Sequence, residues 1–119
     1  MTETDPPETL LPLAPASFHI LLALARDDLH GYAVMQEVEA RTQGRIRLSA
    51  GTLYRTIHRL LEQGLVVEVR ERPAPEQDDE RRRYYRLTRL GREVARAETA
   101  RLAGLVAMAR ARGLAPEEG

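Results

Sequence analysis

The chain has no cysteine, no lysine and no tryptophan, and only one phenylalanine. Without cysteine there is no disulfide and no thiol nucleophile, and a reducing cytoplasm suits such a composition. The three histidines, His19, His30 and His58, are too far apart in sequence to form a ligand set, and no cysteine completes one, so no metal is expected. No apolar run approaches the ~20 residues that a membrane-crossing helix needs. The N-terminus, MTETDPPETLLPL, is acidic and proline-rich, unlike a secretory signal. Phosphate-cradling glycine loops and nucleophile motifs are missing as well. The carboxylate run Asp78-Asp79-Glu80 follows two prolines on a predicted loop tip, which cannot hold a preorganised acid–base pair. These absences exclude an enzyme and a resident cofactor as expectations and place the protein in the cytoplasm. The lack of lysine is discounted: high alanine and leucine contents point to a compositional bias, so arginine usage alone says nothing about phosphate.

At 119 residues, 43% of them hydrophobic, the chain is long enough for one domain with an arm. Such a core is modest, and self-association would relieve it. Eighteen basic and eighteen acidic residues cancel, yet they are segregated. Between Ala40 and Leu61 stand Arg41, Arg45, Arg47, Arg55 and Arg59 with no carboxylate. A second arginine-rich stretch begins at Arg81-Arg82-Arg83, while the acids collect at the N-terminus, in Glu76 to Glu80 and at Glu117-Glu118. Segregated charge builds a local positive field even at zero net charge.

The chain is organised around residues 48–69, LSAGTLYRTIHRLLEQGLVVEV. Ser49 is a good N-cap, and Leu53, Ile57, Leu60 and Leu61 fall on one stripe of a 3.6-residue helix. Gly64 stands where a left-handed stop is wanted. The opposite face carries Gly51, Arg55, His58, Arg59 and Glu62. Arg55 and Arg59 are four apart, a like-charge pair that weakens a helix by roughly 0.2–0.5 kcal/mol. A helix needing only solubility would alternate signs.

In chain order, residues 1–12 read as a mobile leader. Pro15 opens a first helix that is apolar nearly all round (Phe18, Ile20, Leu21, Leu22, Leu24), and residues 27–31 read as a turn. A second helix runs from Tyr32 to about Arg41, with Val34, Met35 and Val38 inward, and Gly44 breaks it. After Gly64, Leu65, Val67 and Val69 alternate with Val66, Glu68 and Arg70 as one strand. Residues 73–80 form an acidic, proline-containing loop. A second strand, residues 82–87, turns Tyr85 and Leu87 inward. Thr88 caps a last helix to about Arg112, which Gly113 and Pro116 end.

Three helices followed by a hairpin is the order of a winged helix-turn-helix. The fold expectation is therefore mainly α with a small β-hairpin: a leader at 1–12, a winged helix-turn-helix at 13–87, a dimerisation helix at 88–115 and a tail at 116–119. Placed on that frame, the two arginine-rich stretches fall where a duplex would lie, so double-stranded DNA is the expected partner. The rival is a winged-helix protein-interaction module without DNA binding, which has little reason to keep the Arg55, His58, Arg59 face free of carboxylates.

Three segments carry a more specific likeness: ASFHILLALARDDLHGYAVMQEV (16–38), LSAGTLYRTIHRLLEQGLV (48–66) and RRRYYRLTRLGREV (81–94). In identity, order and spacing they resemble the PadR family of bacterial transcriptional repressors, in the short form with a single C-terminal helix. The resemblance implies a homodimer with exchanged last helices, a two-fold symmetric operator, and repression relieved by a small molecule or other signal. It puts Gly51, Thr52, Tyr54 and Arg55 at the start of the recognition helix and Arg82 and Arg83 in the wing; His58 and Arg59, on the same exposed helix face, complete the expected DNA contacts. In the last helix Leu90, Val94 and Ala97 face the chain's own domain. Leu102, Leu105, Val106 and Ala109 form a second stripe for a partner subunit. The tryptophan with which one member of this subgroup sandwiches aromatic drugs at the dimer centre has no counterpart.

Overall fold

The computed structural model describes residues 6–69 and 83–116. Residues 1–5, the acidic loop at 73–80, Arg82 and residues 117–119 lie outside the described residues. The elements run α1 (Pro15–Leu24), β1 (Leu29–His30), α2 (Gly31–Arg41), α3 (Ala50–Glu62), β2 (Val66–Val69), β3 (Tyr84–Leu87) and α4 (Arg89–Ala111). The strands form one antiparallel sheet in the order β1-β3-β2. Ile20, Leu21, Val34, Leu53, Ile57, Leu60, Leu65 and Val94 are shut off from solvent, so all four helices meet in one core. Helices plus a small sheet is the class the sequence pattern predicts.

Four local expectations are corrected. The turn at 27–31 contains a strand: Leu29 pairs with Tyr85 and His30 with Tyr84. Two residues are too short to show a period, and only pairing with β3 defines them. His30 also caps α2, its Nδ1 accepting the Ala33 N–H at 3.2 Å. The alternation expected from Leu65 onward is not kept: Leu65 and Val66 are both buried and Val67 is 43% exposed. The cause is the end of α3. The Leu65 N–H donates to the Leu60 carbonyl and the Gly64 N–H to that of Leu61, with Gly64 at φ +77°, a Schellman stop. Leu65 is thus spent in the cap, against Leu60, and the strand alternation starts one residue later. In α1, Leu22 is exposed, not part of the core.

The fourth correction concerns the leader. Residues 7–10 form one 3-10 turn that packs along α4, and Leu10, Leu11 and Leu13 lie against the core. These leucines outweigh the prolines and acids around them. The strap is tied by Glu98, a buried carboxylate on α4. Glu98 accepts from Arg101 Nε at 2.7 Å and Nη2 at 2.9 Å, and from the Leu13 N–H at 3.2 Å. The Arg101 hydrogen bonds hold this carboxyl below the usual carboxylate range, and the Leu13 N–H helps, while burial pushes the other way.

A carboxyl whose folded pKa is depressed contributes stability that is present above its unfolded pKa and lost as pH falls towards the folded one. Stability should therefore drop on acidification from about pH 5 downward. Glu98→Gln is expected to lower the melting temperature at pH 7 and to flatten that acid limb. Melts at pH 7 and pH 3.5 for both chains check it; parallel pH profiles would show that Glu98 carries none of the dependence.

Candidate nucleic-acid interface

Helix α3 is fixed at both ends and along one side. Ser49 Oγ accepts the Thr52 N–H at 3.1 Å, Gly64 closes the other end, and Leu53, Ile57 and Leu60 are buried. Ala50, Gly51, Tyr54, Arg55, His58, Arg59 and Glu62 are left on the exposed side, with Thr52 half-buried beside them. A Cβ added at Gly51 would meet nothing within 4 Å, so the fold does not require this glycine; it leaves a low entrance to the helix. Arg55 Nη2 reaches Thr52 Oγ1 at 3.4 Å. His58 Nε2 lies 3.3 Å from Glu62 Oε2, both side chains widely exposed.

The five-arginine stretch divides in two. Arg41 pairs with Glu37 at 2.7 Å and Arg47 with Glu39 at 3.4 Å, so α2 neutralises both. Among the described residues Arg45, Arg55 and Arg59 have no carboxylate partner. The unneutralised charge on the exposed side of α3 is thus Arg55 and Arg59, one turn apart. Tyr54 is set apart from its neighbours by its packing. It is 44% exposed, yet its ring lies over Gly31 at the start of α2, where a Cβ would stand 2.7 Å from Tyr54 Cζ. Only glycine lets α2 and α3 approach this closely.

At the wing, Arg83 precedes β3 and its Nε lies 3.4 Å from Glu68 Oε2 on β2. The exposure of Arg83 leaves room for a second partner, but its charge is shared with Glu68. Arg82 falls outside the described residues. Arg86 is a contact that sequence reasoning missed. Its Nη2 donates to Asp28 Oδ2 at 2.7 Å and its Nε to Oδ1 at 3.1 Å, a bidentate pair tying β3 to the chain before β1. The only signal was Asp28 itself, and reading it required knowing that β1 exists.

In α4, Leu90 and Val94 pack on the core and Ala97 is half-buried near the leader strap. Beyond them Leu105 is 46% and Val106 45% exposed, with Leu102 and Ala109 half-buried on the same stripe. Among the described residues no cluster of histidines and carboxylates could hold a metal ion, and no helix is long and apolar enough to cross a membrane.

Solved structures share this arrangement. A PadR family transcription regulator from Clostridium difficile R20291 superposes with a TM-score of 0.67 over 82% of this chain and 96% of its own, at 18% identity. A PadR-like transcription factor from Bacteroides fragilis gives 0.66 over 79% of this chain and 85% of its own, at 21% identity. The hsRosR-S4 complex of Halobacterium salinarum RosR gives 0.67 over 86% and 81%, at 22% identity. At these identities the likeness is one of fold. In sequence, the transcriptional regulator YqjI of Escherichia coli (strain K12) is 45% identical over 47 residues, 40% of this chain. The matched part spans 23% of the length of that curated relative. The Transcriptional regulator PadR-like family matches residues 20–97, from α1 through the wing into the middle of α4. With that match running across α2, α3 and both wing strands, the chain belongs to the PadR-like family of transcriptional regulators.

Proposed function

We propose that the protein is a cytoplasmic repressor that binds a two-fold symmetric operator as a homodimer and is released by a small molecule or another signal. The observation that carries this reading is the exposed side of α3, where Arg55 and Arg59 stand a turn apart with no carboxylate among the described residues to neutralise them. In this role α3 enters the major groove. Gly51 and Thr52 let the backbone approach, Tyr54 and Arg55 reach base edges or the flanking phosphates, and His58 and Arg59 meet the strand one turn on. Arg82 and Arg83 grip the backbone at the base of the wing. The stripe of Leu102, Leu105, Val106 and Ala109 is covered by the same stripe of a second copy, which brings two recognition helices to two half-sites. No catalytic group is assigned, and the effector is a ligand of the dimer.

The test is a titration of a fluorescent duplex from the gene's own upstream region beside a scrambled one, at several salt concentrations. Tight binding to the native duplex, falling steeply with salt, is expected, since each phosphate engaged adds about 0.9 to the slope of log K against log salt. Absence of binding to either duplex at low salt would overturn the reading in favour of a protein-interaction module. Sedimentation equilibrium at micromolar concentration should give twice the chain mass; a monomer would remove the basis for a symmetric operator.

A further inference from the structure

Three of the four tyrosines gather around Gly31. Tyr54 lays its ring on that glycine, and Tyr84 stands edge-on to His30 with ring centroids 5.4 Å apart. Both are accounted for by packing. Tyr32, next to Gly31 in α2, is not. It is 61% exposed, and its side chain makes no hydrogen bond and no ring contact with any described residue. The helix buries Gly31, Val34 and Val38, and Tyr32 is turned about 100° away from Gly31. Tyr54 reaches from the exposed side of α3 to Gly31, so the start of α2 lies against that helix, and Tyr32 is the next residue of α2.

In a helix-turn-helix the first helix of the pair crosses the sugar–phosphate backbone while the second lies in the groove. Here those helices are α2 and α3. Resting on the DNA-binding reading above, we propose that Tyr32 donates its phenolic O–H to a phosphate flanking the groove that α3 enters. This neutral contact sets how α3 is seated. A phenolic O–H is a neutral donor, so such a contact displaces no counterion. It touches no base edge, so it is blind to sequence. Both traits separate it from the arginines.

The experiment is the duplex titration repeated with Tyr32→Phe, which removes one oxygen from an exposed ring. Binding is expected to weaken about five-fold, the value of about one neutral hydrogen bond. The loss should be the same at every salt concentration, so the salt slope is unchanged, and equal for native and scrambled duplexes. The melting temperature should not move. Affinity within two-fold of the parent would overturn the proposal. So would a shallower salt slope, a loss confined to the native duplex, or a fall in melting temperature, which would give the hydroxyl a structural role. Failure of the parent chain to bind either duplex would instead bring down the DNA-binding reading on which this rests.

Discussion

Gly91→Ala is expected to cost the fold about 3 kcal/mol, the upper part of the range for forcing an extra methyl into packed structure. The added Cβ would stand 2.9 Å from the carbonyl carbon of Leu65 and from Leu87 Cδ1, and nearer still to the Leu65 oxygen. That carbonyl is backbone and has no room to retreat. It accepts the Thr88 N–H at 3.1 Å, while Thr88 Oγ1 donates to the Gly64 carbonyl at 2.7 Å and accepts the Gly91 N–H at 2.9 Å. Moving α4 outward would break these bonds together. At several degrees per kcal/mol for a domain of this size, the melting temperature should fall by roughly 15 °C. Gly104 on the same helix is the control. A Cβ there meets nothing within 4 Å, and the position lies on the far side from the Leu102–Val106 stripe. Gly104→Ala should therefore stabilise by about 0.5–1 kcal/mol through helix propensity alone. Urea denaturation of the two variants measures both. A Gly91→Ala chain within 1 kcal/mol of the parent would mean that the junction is far softer than its distances imply.

The second large effect is on DNA. Replacing Arg55 and Arg59 together with alanine is expected to weaken operator binding about a hundred-fold or more, each arginine contributing roughly 1–3 kcal/mol whether it reads guanine or clamps phosphate. The salt slope should fall by about 0.9 for each of the two arginines that clamps a phosphate. Stability should move the other way. The arginines are an exposed like-charge pair with no carboxylate partner among the described residues, so their removal should stabilise α3 slightly, by about 0.2–0.5 kcal/mol. Weaker binding by a chain that melts no lower is hard to attribute to unfolding. Arg55→Ala alone, titrated against single-base operator variants, separates the two roles. Uniform weakening across the variants would assign Arg55 to phosphate, and a loss concentrated at one base pair would assign it to readout. If the double variant binds as tightly as the parent, α3 is not the reading helix.

The features legible in the sequence are those fixed within a few residues. Ser49 and Thr88 are caps that act three residues on, Gly64 ends its own helix, and the Leu53–Ile57–Leu60 stripe needs only the helical period. The alternation of Tyr85 and Leu87 was legible for the same reason. What escaped depends on distant partners. β1 exists because β3 lies beside it, more than fifty residues later. Glu98 looks like a surface acid until the Leu13 N–H arrives from the other end of the chain. Val66 and Val67 exchange faces because Leu65 belongs to the preceding cap, a local fact that strand periodicity alone cannot see. The candidate interface divides likewise. The arginine face of α3 follows from spacing, whereas the packing of Tyr54 on Gly31, the pairing of Arg83 with Glu68 and the Arg86–Asp28 bridge require the tertiary fold.

The Thr88–Gly91 junction makes α4 a lever whose fulcrum is the end of α3. Helix α4 has 23 residues, and at 1.5 Å per residue it is about 35 Å long. A sideways displacement of about 3 Å at its far end is then a rotation of about 5° at Thr88. With two hydrogen bonds and a backbone-to-backbone contact at the pivot, little of that angle is absorbed there. The rotation passes to the helix that Gly64 terminates. In the proposed dimer, whatever sets the crossing of two such arms would also set the pitch at which the arginines of α3 meet the proposed operator.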